Sequence, residues 1–302
     1  MASISLEKPS SWTGIWTALI TPLSQGASGL EIDQPSLKKL IDQQIASGLR
    51  GFVIAGSTGE GSLLGAKLYE KLLRSAFEIV AGRVPLVAGL GIGGTAACLE
   101  NLRLAKSIGY SGALGVVPAY IKAPQRGLVD HYLSLGAECL PICVYEVGSR
   151  SASSVEVATL KEICASAHPG AKWIVAIKDA SGNLDRAKAT REVLPASRLA
   201  LLSGDDGTFS GFLRLGGNGL ISVVSHFTPK SLVRMMAAPS QTEQERLLPL
   251  IDAIFCESNP IPTKSMLKAI GTIASDAFCP PLVPMRPDLL ENSLKVLRET
   301  QD

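Results

Sequence analysis

The residue best placed to do chemistry in this sequence is a lysine at the end of an apolar run. Lys178 follows WIVAI (173–177) directly and opens KDASG. Lysine is seldom buried without a partner or a task. Desolvation disfavours its ammonium form, which frees a neutral amine to attack a carbonyl. At the carboxyl end of a strand such an amine suits an imine-forming enzyme. The competing reading is a strand-end lysine whose head reaches back to water, and residue type alone leaves both open. Tyr145 closes the preceding run, PICVY, and Arg150 follows five residues later. A tyrosine beside the lysine suits proton relay, and an arginine above it suits a carboxylate, gripped by two parallel hydrogen bonds. Tyr120, in PAYIK, projects from the run before that. Read blandly, these are aromatic caps and a surface arginine.

Glycine-rich turns supply the remaining polar groups. GSTGEG (56–61) brackets Ser57 and Thr58 with glycines. Hydroxyls and backbone N–H groups presented this way suit a carboxylate, and the absence of GK[ST] argues against a nucleotide phosphate. A capped glycine turn is the plain alternative. GLGIGG (89–94) has the spacing of a dinucleotide fingerprint, but no acid follows about 20 residues later to hold a ribose. It reads instead as a tight turn where backbone passes close to a neighbour. In SGDDGTF (203–209), Asp205 and Asp206 read as turn-formers and helix caps before FSGFLRL, not as metal ligands.

These groups need a scaffold, and the hydrophobic pattern describes one. Eight short runs are almost continuously apolar: 14–20, 51–55, 84–88, 113–117, 141–145, 173–177, 199–203 and 219–224. Continuous runs, as opposed to alternating ones, mark strands buried on both faces. Helical periodicity fills the gaps, as in 35–48, 68–82 and 95–109. Pro35 suits a first turn, Thr95 an N-cap, and Gly48, Gly82 and Gly109 the stops. Eight strand–helix units predict a closed α/β barrel, (β/α)8, in preference to an open sheet. Beyond residue 226 only helical patterns remain. The expected division is a catalytic barrel over 1–238 and a helical domain over 239–302.

Composition narrows the function. Charged residues are 19% and hydrophobic ones 46%, which excludes a disordered chain. A net charge of +2 gives no reason to expect nucleic acid or an anionic membrane as partner. Six cysteines with no CxxC pair, and three histidines, speak against a zinc site and fit reduced thiols. The opening MASISLEKPSSW lacks the apolar run of a signal peptide, so a cytoplasmic location is expected.

The ordered set GSTGE, PAYIK, VYEVGSR, IKDASG, SGDD and GLISV resembles the dihydrodipicolinate synthase / N-acetylneuraminate lyase family of pyruvate-dependent class I aldolases. The resemblance runs from ALITPL near the start to NPIPTK and PPLVPM in the tail. It implies a barrel with a helical C-terminal domain, and a homotetramer built from two tight dimers. By the same resemblance Lys178 matches the Schiff-base lysine and Tyr145 the proton-relaying tyrosine. Ser57 bridges that tyrosine to Tyr120, which the family inserts from the neighbouring subunit. Thr58 holds the pyruvate carboxylate, Arg150 receives the aldehyde's carboxylate, and Gly204 and Ile221 line the pocket. The implied reaction joins pyruvate, held as an imine, to L-aspartate 4-semialdehyde, with neither metal nor detachable cofactor. A lyase for N-acetylneuraminate or a 2-keto-3-deoxy sugar acid is the alternative in the same family, and a non-catalytic keto-acid-binding barrel the alternative outside it.

Two departures stand out. Synthases usually read YNVPGRT where this chain reads YEVGSRS (145–151), so the Arg150 loop loses its proline and gains Glu146, a candidate partner for Arg150 or another cation. The positions that match the family's lysine-binding groups are Gly61, Ser62, Ala66, Tyr69, Gly93, Ala97 and Ala119. Gly93, Ala97 and Ala119 offer neither hydrogen bonds nor a ring, so weak or absent inhibition by L-lysine is expected.

Overall fold

A computed structural model describes residues 4–27 and 29–300. Strand β1 (Gly14–Ala18) leads into β2 (Leu23–Gly26) and β3 (Gly29–Ile32), then α1 (Gln34–Ala46), β4 (Gly51–Ile54), α2 (Ala66–Val80), β5 (Leu86–Gly89), α3 (Thr95–Ile108) and β6 (Gly112–Val116). The alternation continues through α4 (Gln125–Gly136), β7 (Ile142–Glu146), α5 (Val157–Ala165), β8 (Ile174–Asp179), α6 (Leu184–Val193), β9 (Ala200–Ser203), α7 (Phe209–Arg214), β10 (Gly219–Ser222) and α8 (Pro229–Ala237). Helices α9 (Gln241–Ile254), α10 (Ile261–Ala269) and α11 (Pro287–Thr300) follow.

Eight strands close in the order β1-β10-β9-β8-β7-β6-β5-β4, every neighbouring pair parallel. They coincide with the eight apolar runs to within two residues. From β4 to β10 every barrel-strand residue is buried, as a sheet wrapped by helices requires. Trp12 and Trp16 pack where strands begin. A Cβ at Gly51 would lie 2.5 Å from the Trp16 ring, so only glycine fits there.

The antiparallel hairpin β2–β3 had no counterpart in the sequence reading. Its two four-residue strands are mostly half-exposed and polar, too short to show a period. Helix starts also differ in detail. Asp33 caps α1 by accepting from the Ser36 N–H at 3.1 Å, while Thr95, expected as the N-cap of α3, is its first helical residue. Gly94 holds the cap position, and the Thr95 hydroxyl lies 2.9 Å from His131 Nδ1 instead. After the last barrel strand the regular elements among the described residues are all helices. Helix α9 packs on α7 and α11, and α10 on both α9 and α11. Helix α10 ends at Ala269, and the chain turns at Gly271, φ +73°.

Candidate active site

Lys178 and Tyr145 are register partners on adjacent parallel strands, β8 and β7. The Lys178 Nζ lies over the Tyr145 ring, 4.4 Å from its centroid, and each residue is only 6% exposed. The carboxyl ends of both strands open into a cavity of about 410 Å³. Thr58, Ser57, Arg150 and Gly204 line it with them. Gly204 is there for space. A Cβ at that position would meet Lys178 Cε and Ala180 Cβ at 2.7 Å each. Six of the eight residues singled out in the sequence therefore share one cavity.

The other two do not line it. Ile221 is buried in the core on β10. Tyr120 stands away, 97% exposed, with a backbone φ of +68°.

The GSTGEG turn folds on itself: Glu60 N–H donates to Ser57 O at 3.1 Å and Gly61 N–H to Gly56 O at 3.0 Å. Those two amides are consumed by the turn itself. The Thr58 hydroxyl accepts from Asn259 Nδ2 at 2.9 Å. Its own proton is thereby directed away from Asn259. GLGIGG is the close-approach turn expected of it, since a Cβ at Gly89 would lie 2.3 Å from Ala55 O.

Several contributors were not legible beforehand. Asn259, between α9 and α10, is buried and also accepts from Arg150 Nη2 through its carbonyl at 3.3 Å. Leu248, Ile251 and Asp252 of α9, with Phe255 just beyond its end, also line the cavity. The two acids after Gly204 separate in role. Asp205 accepts from the Thr208 N–H at 2.8 Å, a turn-forming bond as expected. Asp206 crosses to β10 and accepts from Ser222 Oγ at 2.6 Å and Val223 N at 3.0 Å. Burial raises its pKa, and these bonds oppose the rise. Glu146 does not pair with Arg150. Its carboxylate accepts two backbone N–H groups, from Gly148 at 3.0 Å and Val155 at 2.6 Å. Among the described residues no group of three or more His, Cys, Asp and Glu could hold a metal.

A closed eight-stranded barrel with a lysine-centred cavity at the carboxyl ends of its strands is the architecture of a TIM-barrel enzyme. Residues 11–300 match the model of the dihydrodipicolinate synthetase family, and the chain belongs to that family. The 4-hydroxy-tetrahydrodipicolinate synthase of Bdellovibrio bacteriovorus is 36% identical over 296 residues, which span 95% of this chain and 96% of the relative. That of Stenotrophomonas maltophilia is 38% identical over 283 residues, 91% and 92% of the two chains. Among solved structures, the Thermotoga maritima dihydrodipicolinate synthase superposes with a TM-score of 0.90 at 33% identity, covering 96% of this chain and 99% of its own. A monomeric dihydrodipicolinate synthase variant gives the same TM-score and identity over 97% and 98%.

Proposed function

We propose that this chain condenses pyruvate with L-aspartate 4-semialdehyde to give 4-hydroxy-tetrahydrodipicolinate, through an imine on Lys178. The observation that carries the reading is the Lys178 amine over the Tyr145 ring in a cavity of substrate size. Lys178 attacks the keto carbon, and water leaves. The protonated imine draws electrons from the adjacent C–H bond, so a methyl proton departs and an enamine forms. Tyr145 moves protons in these steps, relayed by Ser57. Thr58, its hydroxyl proton free of Asn259, holds the pyruvate carboxylate. Arg150 at the cavity edge receives the carboxylate of the aldehyde. The enamine carbon then attacks the aldehyde carbon, whose oxygen takes a proton to become the hydroxyl. The substrate's own amino group attacks the regenerated imine carbon, closes the ring and expels Lys178 as the free amine. Gly204 shapes the pocket, and no metal or detachable cofactor takes part.

Tyr120 completes the relay from a neighbouring subunit in this reading. Its near-total exposure, beside the 59% exposed Ile121, supports an interface position. The assembly is then a homotetramer of tight dimers, located in the cytoplasm, with inhibition by L-lysine weak or absent. Residues 1–238 form the catalytic barrel and 239–302 the helical domain. No helix among the described residues is long and apolar enough to cross a membrane.

The test is reductive trapping. Borohydride with pyruvate should add a reduced adduct to the peptide containing Lys178, and Lys178→Ala should remove it while the barrel stays folded. No adduct, or one elsewhere, rejects the mechanism. Turnover of L-aspartate 4-semialdehyde should exceed cleavage of N-acetylneuraminate and of 2-keto-3-deoxygluconate. The reverse order reassigns the substrate.

A further inference from the structure

Glu146 follows Tyr145 on β7 and, by strand alternation, lies on the opposite face. It is 2% exposed, yet among the described residues it forms no ion pair, the neighbouring Arg186 being paired with Asp179 instead. Its two carboxylate oxygens are spent on one loop. Oε1 takes the Gly148 N–H and Oε2 the Val155 N–H, so a single side chain pins both ends of the segment 148–155. Arg150 sits within that segment, its own N–H donating to Val147 O at 2.8 Å. The far end is held a second time: Arg186 Nη2 donates to Val155 O at 2.6 Å, while Arg186 Nε is paired with the buried Asp179 at 3.1 Å. Bonds from backbone amides to a carboxylate are among the stronger kinds. The loop reads Gly148-Ser149, so the stiffness a proline would give it has to come from elsewhere.

We propose that Glu146 is a positioning residue that fixes the reach of Arg150 into the cavity, and so sets selectivity for an aldehyde that carries a carboxylate. The inference rests on the function proposed above and on Arg150 as the carboxylate receptor. Of the groups assigned to pyruvate, Lys178 on β8 and Thr58 in the turn after β4 stand on other elements. Tyr145, though next to Glu146, is held by the β7–β8 register and not by the loop, so the clamp acts chiefly on the second substrate. Glutamine at position 146 keeps one accepting oxygen for two amides and turns an NH2 group against the other.

The experiment is steady-state kinetics of Glu146→Gln with both substrates, alongside borohydride trapping of pyruvate. The KM for L-aspartate 4-semialdehyde should rise at least fivefold. The pyruvate KM should stay within twofold, and the Lys178 adduct should form as in the parent. Glu146→Gln added to Arg150→Ala should raise the aldehyde KM no further, because the clamp acts through that arginine. A purely structural role lowers the folded fraction, hence kcat, and leaves both KM values alone. That outcome overturns the proposal, as do equal changes in both KM values or additivity with Arg150→Ala. If the glutamine variant does not fold, Glu146→Asp serves instead. It keeps the charge but is one methylene too short to reach both amides, and the same KM split is expected. A parent protein that forms no pyruvate adduct refutes the proposed function itself, a result separate from any of these.

Discussion

At the scale of single residues, the cavity depends on an absent side chain as much as on those present. Gly204 N–H donates to Asp179 O at 2.7 Å, which draws the β9 end tightly against β8. At that distance a methyl group at 204 collides with Lys178 Cε and Cγ and with Ala180 Cβ. The lysine is the movable partner, since Ala180 is fixed by its backbone. Gly204→Ala should therefore leave the barrel folded and push the amine off the Tyr145 ring. Misplacement by about 1 Å is enough to cost on the order of a hundredfold in rate. Trapping of pyruvate by borohydride should slow at least tenfold in this variant; a rate within twofold of the parent would show that the close approach is not needed. Lys178 and Tyr145 were legible in the sequence because their neighbours expose them: a charged or hydroxylated residue at the end of an apolar run needs an explanation. Asn259 was not, because its meaning comes from Thr58, 201 positions away. Glu146 was visible as an oddity, but its partners are backbone amides, which no residue type announces.

At the scale of elements, the eight buried strands were readable because burial on both faces leaves an apolar run, whereas the polar β2–β3 hairpin left none. Equally hidden was the way the helical tail is fastened to the turn that carries Ser57 and Thr58. Lys264 of α10 and Glu60 of that turn form an ion pair at 2.6 Å with both side chains fully buried. Lys264 also donates to Ala277 O and lies 4.5 Å from the Phe278 ring centroid. The second Glu60 oxygen accepts the Cys279 N–H at 2.7 Å. Burial pulls the Lys264 pKa down, and Glu60 opposes that pull. Removing one partner of such a pair strands the other charge, at a cost of about 3–5 kcal/mol. Lys264→Met should thus shift urea denaturation by that amount, and Lys264→Met combined with Glu60→Gln should recover a large part of it. A loss below about 1 kcal/mol in the single variant would mean that water reaches Glu60 and that the pair does not hold the tail.

At the scale of the whole molecule, two buried histidines tie stability to pH. His226 is held as a neutral ring: Nδ1 lies 2.8 Å from Val223 O, and Nε2 accepts the Ile20 N–H at 3.2 Å. His131 pairs Nδ1 with Thr95, while its Nε2 is buried without a partner. Burial lowers both pKa values to about 4. In the unfolded chain each returns to about 6.5. The unfolded state therefore binds more protons than the folded state between these values, and stability falls as pH falls. Their contribution is fully present above pH 6.5 and is lost progressively toward pH 4, with a limiting slope of about 1.4 kcal/mol per pH unit for each ring. The ion-paired carboxylates of Asp42, Glu138, Glu243 and Asp288 all have lowered pKa values, Glu243 about 2, so their losses come at more acid pH. From pH 6.5 to 4.5 the two histidines lower stability as the unfolded chain takes up their protons, while buried Asp206, its pKa raised, works in the opposite sense. Urea-unfolding free energies across this window should decline in the parent, and His131→Gln, which cannot take up the proton, should remove roughly half of the histidines' share of the slope. An unchanged slope in that variant would assign the acid lability to other groups.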